Sequence, residues 1–164
     1  MFKKNDVVTL TITGMTAEGN GVGRCDGIAV FVAMSAIGDI LKVRITKVQK
    51  TFAYGIIDEI LTPSQSRISP DCQVFTKCGG CAFRHISYES ELEIKEDFVS
   101  DAFKRIGKLD VPFEKILGCT EQNHYRNKAQ YPVAEIDGEV VCGFYSRRSH
   151  RVVPFTACKL QPII

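Results

Sequence analysis

The sequence predicts an α+β fold that is mostly β: a small OB-like five-stranded barrel, then a cluster-binding segment with one long helix and an antiparallel β-meander. Three observations carry this. Within Asp6 to Leu61, the stretches around Val8–Thr13 and Leu41–Thr46 alternate apolar and polar side chains with the period of half-buried strands. Amphipathic helical spacing occurs once, near Tyr88 to Ile106. Cysteines crowd into one short stretch, Cys72-x5-Cys78-Gly79-Gly80-Cys81. The expected division is a barrel over residues 1–62 and a second, cysteine-bearing domain over 63–164, with Pro63-Ser64-Gln65-Ser66 as linker.

In the barrel segment Val8, Leu10 and Ile12 alternate with threonines, and Leu41, Val43 and Ile45 alternate with Lys42, Arg44 and Thr46. Ile28-Ala29-Val30-Phe31-Val32 reads as a core strand and Tyr54 to Ile60 as the last one, giving the strand number of an OB-type barrel. Gly19-Asn20-Gly21-Val22-Gly23-Arg24 invites a phosphate-loop reading, but that needs a helix after it and strands flank both sides. A tight turn or bulge is the expectation there. For the helix, Ser87 is the predicted cap, acids crowd the first turns, Gly107 is the predicted stop, and Leu92, Val99, Phe103 and Ile106 form a stripe expected to face the core. Asp137-Gly138 is the predicted hairpin turn of the meander between Tyr125 and Val153.

Composition bounds the function. Hydrophobic residues make up 45% of 164, enough for true cores. The longest apolar run, Ile28 to Met34, is too short for a bilayer, and the start leads into a strand instead of a signal sequence. A monomeric cytoplasmic protein without membrane contact is expected. Seven cysteines, three of them clustered, fit a reducing compartment and a metal site better than a disulfide framework. The net charge of +2 hides an uneven distribution: from His124 to Lys159 there are six Lys/Arg against three acids, whereas Glu89 to Asp101 is mostly acidic.

The cysteine spacing points to a 4Fe-4S cluster. Three thiols within ten residues can close on one centre, a fourth from elsewhere would complete the set, and the diglycine lets backbone amides approach sulfur. Zinc is the rival, although zinc ribbons usually present two close pairs. Cys142 sits in a β-rich run and Cys25 in the glycine-rich segment, which leaves Cys119 and Cys158 as fourth ligands that residue chemistry does not separate.

These features together resemble the N-terminal part of bacterial RNA (uracil-5-)-methyltransferases of the 23S rRNA type, which carry a TRAM domain and an iron–sulfur centre. The resemblance rests on Gly-Asn-Gly-Val-Gly-Arg with Ala29-Val30-Phe31-Val32 and Gly38-Asp39, on Cys72-x5-Cys78-Gly79-Gly80-Cys81-x3-His85, on the helix, on His124-Tyr125-Arg126-Asn127-Lys128, and on Gly143 to His150 with Cys158-Lys159-Leu160. It covers essentially the whole chain. Ala33 and Ile37 stand where family members often carry prolines. It implies Cys158 as fourth ligand, beside Cys72, Cys78 and Cys81. The family's cysteine nucleophile, base and S-adenosylmethionine site lie in a C-terminal Rossmann-like domain that this sequence does not contain, so no catalytic residue is assigned and the chain is expected to be inactive alone.

Holding RNA is what the fragment can do, a structured rRNA or tRNA with an exposed uridine being the expected partner. Arg24, Arg126, Lys128, Arg147, Arg148 and Arg151 are the candidate contacts, and His85 is expected to pack beside the cluster. A stand-alone RNA-binding iron–sulfur module without catalysis is the alternative. A radical S-adenosylmethionine enzyme ranks last, because its three cysteines would be spaced x3 and x2.

Overall fold

The computed structural model describes residues 2–162. Five strands, β1 (Val7–Met15), β2 (Asn20–Cys25), β3 (Ile28–Ala33), β4 (Ile40–Val48) and β5 (Phe52–Thr62), close into a barrel in the order β1-β2-β3-β5-β4. β3 and β5 run parallel and every other neighbouring pair for which a register is given is antiparallel. The alternation read from the sequence is the alternation found: Leu10, Ile12, Val30, Val32, Leu41, Val43, Ile45 and Ala53 fill the interior, with Phe2 beside them. Each fully buried Val, Leu or Ile contributes about 1.5–3 kcal/mol by leaving water, so the barrel holds most of the chain's apolar stabilisation.

The glycine run serves both expected roles and a further one. Gly19, with positive φ, closes the turn before β2, and the β1–β2 register shifts between Ile12 and Gly14 opposite Gly23 and Val22, while Gly21 and Gly23 themselves lie inside β2, facing the interior. A Cβ at Gly21 would meet Ser35 and Ile12, and one at Gly23 would meet Leu10 and the carbonyl of Thr11. Five strands enclose little space, and the absent side chains make room for larger ones opposite.

The chain falls into two compact units that are not consecutive segments: one takes the residues up to Ser69 together with His85–Ile116, and the other takes Pro70–Arg84 and the residues from Leu117 onward. The helix therefore groups with the barrel.

α1 spans Tyr88–Asp101, and the Ser87 side chain accepts from the Ser90 amide at 3.3 Å as a cap. A π-helical turn follows over Ala102–Gly107, ended by Lys108 in the left-handed region (φ 55°) and not by Gly107. The expected core stripe is not buried. Ile94 is the buried residue of α1, while Val99, Phe103 and Ile106 are exposed. The apolar spacing is present, but burial shifts to the N-terminal half, where the chain is tied to the barrel.

That tie is a buried ion pair. Asp39, fully buried, accepts from the Ala36 amide (2.6 Å), the Ser64 amide (2.9 Å), and Arg67 through Nε (2.8 Å) and Nη2 (2.7 Å). Arg67 also donates to the Met34 carbonyl. From there the backbone continues the connection: Ile68 N–H to His85 O at 3.0 Å and Ser87 N–H to Ser66 O at 2.7 Å. His85, buried, places Nε2 2.9 Å from the Ser35 carbonyl and belongs to the barrel unit.

The second unit holds a three-stranded antiparallel sheet, β6 (Val133–Ile136), β7 (Glu139–Tyr145) and β8 (Val152–Pro154). Ile136 pairs with Glu139 across Asp137-Gly138, both with positive φ, which is the two-residue hairpin the dipeptide predicts. The meander starts at Val133; Tyr125 to Pro132 form no strand.

Burial pushes the Asp39 carboxyl up, but the Arg67 and amide hydrogen bonds outweigh it and hold it below its ordinary value. A depressed carboxylate contributes stability above its unfolded value of about 3.9 and loses it as pH falls through the folded value. Asp39→Ala is expected to cost about 3–5 kcal/mol by leaving Arg67 unpaired. Thermal melts between pH 7 and pH 2 should show the wild type losing stability in the acid limb and Asp39→Asn showing less of that loss.

Candidate metal centre

Three of the four clustered thiols come from the segment Pro70–Arg84, which has no strand or helix of its own. Successive turns shape it: Phe75 N–H bonds Cys72 O at 3.2 Å, and Lys77 and Cys78 N–H bond Val74 O at 3.0 and 2.8 Å. Phe75, 2% exposed, anchors these turns in the unit's interior. The segment then joins the end of β7, with Gly79 N–H on the Tyr145 carbonyl at 2.9 Å and Cys78 bridged to Ser146.

The diglycine divides its roles. A Cβ on Gly79 would stand 2.8 Å from the Tyr145 carbonyl, so Gly79 is required by backbone packing against β7. Gly80 presents its amide to sulfur, N–H to Cys78 Sγ at 3.3 Å, the N–H to thiolate contact expected around a sulfur-ligated centre.

The fourth thiol arrives from the chain's other end. His124 and Arg126 N–H bond the Lys159 and Leu160 carbonyls at 2.8 and 2.9 Å, and Gln161 N–H turns back to Cys158 O. Cys72, Cys78, Cys81 and Cys158 line one pocket, with Arg84 and Arg126 on its wall. Burial raises the Cys81 thiol, Arg84 opposes this, and Cys78, Cys158 and Cys72 push it further up, which places all four within electrostatic reach. Among the described residues, no three His, Cys, Asp or Glu side chains form a group that could hold a single metal ion.

The remaining cysteines separate cleanly. Cys119 is exposed and its Sγ donates to the Glu121 carbonyl, Cys142 is exposed on β7, and Cys25 packs against the barrel core. Cys158 lines the pocket with the other three thiols and Cys119 does not.

Arginines frame the pocket. Arg84 grips Asp71, with Nη2 to Oδ2 at 2.9 Å and Nε to Oδ1, and reaches Asn123 Oδ1; Lys159 stands 3.9 Å from Asp71. This clasp joins residues beside Cys72, Cys81 and Cys158. The Arg84 bond holds the Asp71 carboxyl below its usual range against the effect of burial. Neither Asp71 nor Asn123 stands out in the sequence; the adjacency of Asp71 to Cys72 was the only available signal.

The six candidate RNA contacts divide between the two units. Arg24, exposed on β2, belongs to the barrel unit and the other five belong to the second. Arg147 turns inward: Nη2 donates to the Cys81 carbonyl at 2.6 Å, the guanidinium lies 5.6 Å from the Phe75 ring centre, and burial lowers its pKa. Its Nε is buried without a hydrogen-bond partner. Arg126 is half-buried on the pocket wall, while Lys128, Arg148 and Arg151 are exposed.

Residues 2–57 match the TRAM domain family. Over 97% of its length the chain is 41% identical to a protein of Clostridium tetani named an uncharacterized RNA methyltransferase, and over 92% it is 44% identical to one so named from Caldanaerobacter subterraneus. The chain spans 35% and 33% of those relatives, about a third of their length. Among solved structures, the tRNA (uracil-54, C5)-methyltransferase of Pyrococcus abyssi in complex with S-adenosyl-L-homocysteine aligns over 94% of this chain and 33% of its own, with a TM-score of 0.58 at 22% identity, a likeness of fold.

Loss of the clasp should loosen the cysteine segment while the barrel keeps its order. In Arg84→Ala, hydrogen exchange is expected to accelerate at the amides of residues 72–81 and to stay at wild-type rates in β1 to β5.

Proposed function

We propose that this chain is the RNA-holding, 4Fe-4S-carrying portion of an S-adenosylmethionine-dependent RNA uracil-5-methyltransferase that acts on ribosomal RNA of the 23S type. The observation that carries the reading is the convergence of four thiols on one pocket in a chain whose residues 2–57 match the TRAM domain family. Relatives named RNA methyltransferases, similar along nearly the whole chain, support the enzyme class.

Cys72, Cys78, Cys81 and Cys158 would hold the cluster. The donor set suits it: four soft sulfur ligands, an amide directed at Cys78 Sγ, and an unpartnered buried donor on Arg147 beside Cys81. Zinc is the rival for a four-thiolate set, and the iron–sulfur reading rests on the donor chemistry and on the cysteine spacing. When bound, the cluster would crosslink the cysteine segment to the stretch that carries Cys158, and the arginines would offset its negative charge.

Exposed Lys128, Arg148 and Arg151 offer phosphate contacts beside the half-buried Arg126. No residue of this chain is assigned to methyl transfer, and S-adenosylmethionine is taken to bind elsewhere in the full enzyme.

Protein purified without oxygen should be brown, carry about four irons with equal sulfide, and bind RNA with an affinity that falls as salt rises. Colourless protein containing zinc would overturn the cluster. Cys78→Ser is expected to abolish assembly and leave most of the protein insoluble, whereas Cys142→Ser should assemble normally; equal behaviour of the two, read by absorbance and iron content, would overturn the ligand set.

A further inference from the structure

Inward positions of β3 and β5 are small or aliphatic: Val30, Val32, Ala53 and Gly55. The outward positions between them carry three aromatic rings. Phe31 pairs with Tyr54 across the parallel strands, and Phe52 sits one step along opposite Ala29. The ring centres form a nearly equilateral triangle: Phe31 to Phe52 at 5.5 Å, Phe31 to Tyr54 at 5.6 Å and Phe52 to Tyr54 at 5.6 Å, with the two contacts of Phe52 edge-on. All three are half-buried, so each keeps part of its surface in water.

An aromatic triangle on the outer wall of a small barrel is not needed to fill the core, which Val30, Val32 and Ala53 already complete. Its surroundings point to a ligand of particular charge. Further along β4 and β5, the outward charges neutralise each other, Lys42 with Glu59 at 2.7 Å and Arg44 with Asp58 at 2.6 Å. Beside the rings that pairing stops. Lys47 lies opposite Tyr54 and is exposed, Lys50 follows in the turn, and Arg24 lies on β2 opposite Ala29. Among the described residues none of these three makes an ion pair with an acid; the Arg24 guanidinium meets only the Gly27 carbonyl, at 3.2 Å.

From this pattern we infer that the β3–β5 wall is a stacking platform for single-stranded RNA, with Phe31, Phe52 and Tyr54 receiving bases and Arg24, Lys47 and Lys50 receiving phosphates on either side. It rests on the RNA-binding reading above and extends it to residues outside the cysteine unit. Flat π faces flanked by cations match a chain of unstacked bases on an anionic backbone, and duplex RNA hides its base faces from such rings. A protein partner would need acids placed at both flanks of the triangle, whereas an RNA strand supplies a phosphate at every nucleotide.

The full chain, titrated with a fluorescently labelled single-stranded oligoribonucleotide of about ten nucleotides, tests this by anisotropy at several salt concentrations. Phe31→Leu with Phe52→Leu keeps apolar volume and removes two π faces; affinity should fall about tenfold with the salt dependence unchanged. Arg24→Gln with Lys47→Gln should weaken binding and flatten the log–log salt slope by about 1.4, the value for two phosphate contacts on a single strand. Thermal melting checks that the leucine pair folds, and Phe52→Leu alone replaces it if it does not. Wild-type binding that the leucine variants leave intact, or equal affinity for duplex RNA, overturns the platform and leaves the RNA reading standing. No binding by the wild type overturns both.

Discussion

The carboxylate of Asp39 is the constraint on which the barrel unit's arrangement depends. It is fully buried, and the interior charges a large desolvation cost for an anion, so the site persists only because four donors converge on it. Two of those donors belong to Arg67 and one to Ser64, in the segment that leaves the barrel. The ion pair therefore fixes where that segment lies, and the hydrogen bonds from Ile68 to His85 and from Ser87 to Ser66 then fix the start of α1. The residues between, from Pro70 to Arg84, carry three of the four pocket cysteines. Pairing Ile68 with His85 closes the base of that loop before any metal is considered, which lowers the entropy lost when its thiols are brought together.

The cysteine unit is organised differently. Its buried apolar residues are few, Phe75, Cys78, Val152, Val153 and Leu160, and much of its backbone is irregular. A unit of this size with so thin a core depends on other connections. Those present in the protein chain are polar: the Asp71–Arg84–Asn123 clasp, Arg147 on the Cys81 carbonyl, and the backbone pairs between residues 124–126 and 159–160. They draw the four thiols to one pocket, and a sulfur-bridged centre is the kind of crosslink such a unit lacks.

The barrel was legible because period-two alternation is a local signal, and Leu10 to Ile12 and Leu41 to Ile45 face inward as their spacing predicts. Gly21 and Gly23 were not legible as strand residues because glycine's preference for turns is local too, whereas the crowding that places them in a strand comes from Leu10, Ile12 and Ser35 on other segments. The helix stripe failed for a related reason: spacing shows that Val99, Phe103 and Ile106 share a side but not whether anything covers it. Asp39 and Arg67 stand 28 positions apart, and nothing in either residue's neighbours announces the pair. The pocket was readable through Cys72, Cys78 and Cys81, because three thiols in ten residues are close in any compact fold, while Asp71 and Asn123 show their part only once the chain is folded.

The arginines explain why net charge says so little about this chain. Arg67, Arg84 and Arg147 are each engaged by an acid or a carbonyl in partly buried surroundings, through two or more directed contacts that a lysine ammonium does not reproduce as a planar fork. These guanidinium groups hold structure and leave little field outside. Arg24, Lys47, Lys128 and Arg151 are instead exposed. A sum of +2 counts both kinds alike, but only the exposed set can exchange counterions for phosphates. Attraction for a polyanion therefore depends on which cations the fold leaves at the surface.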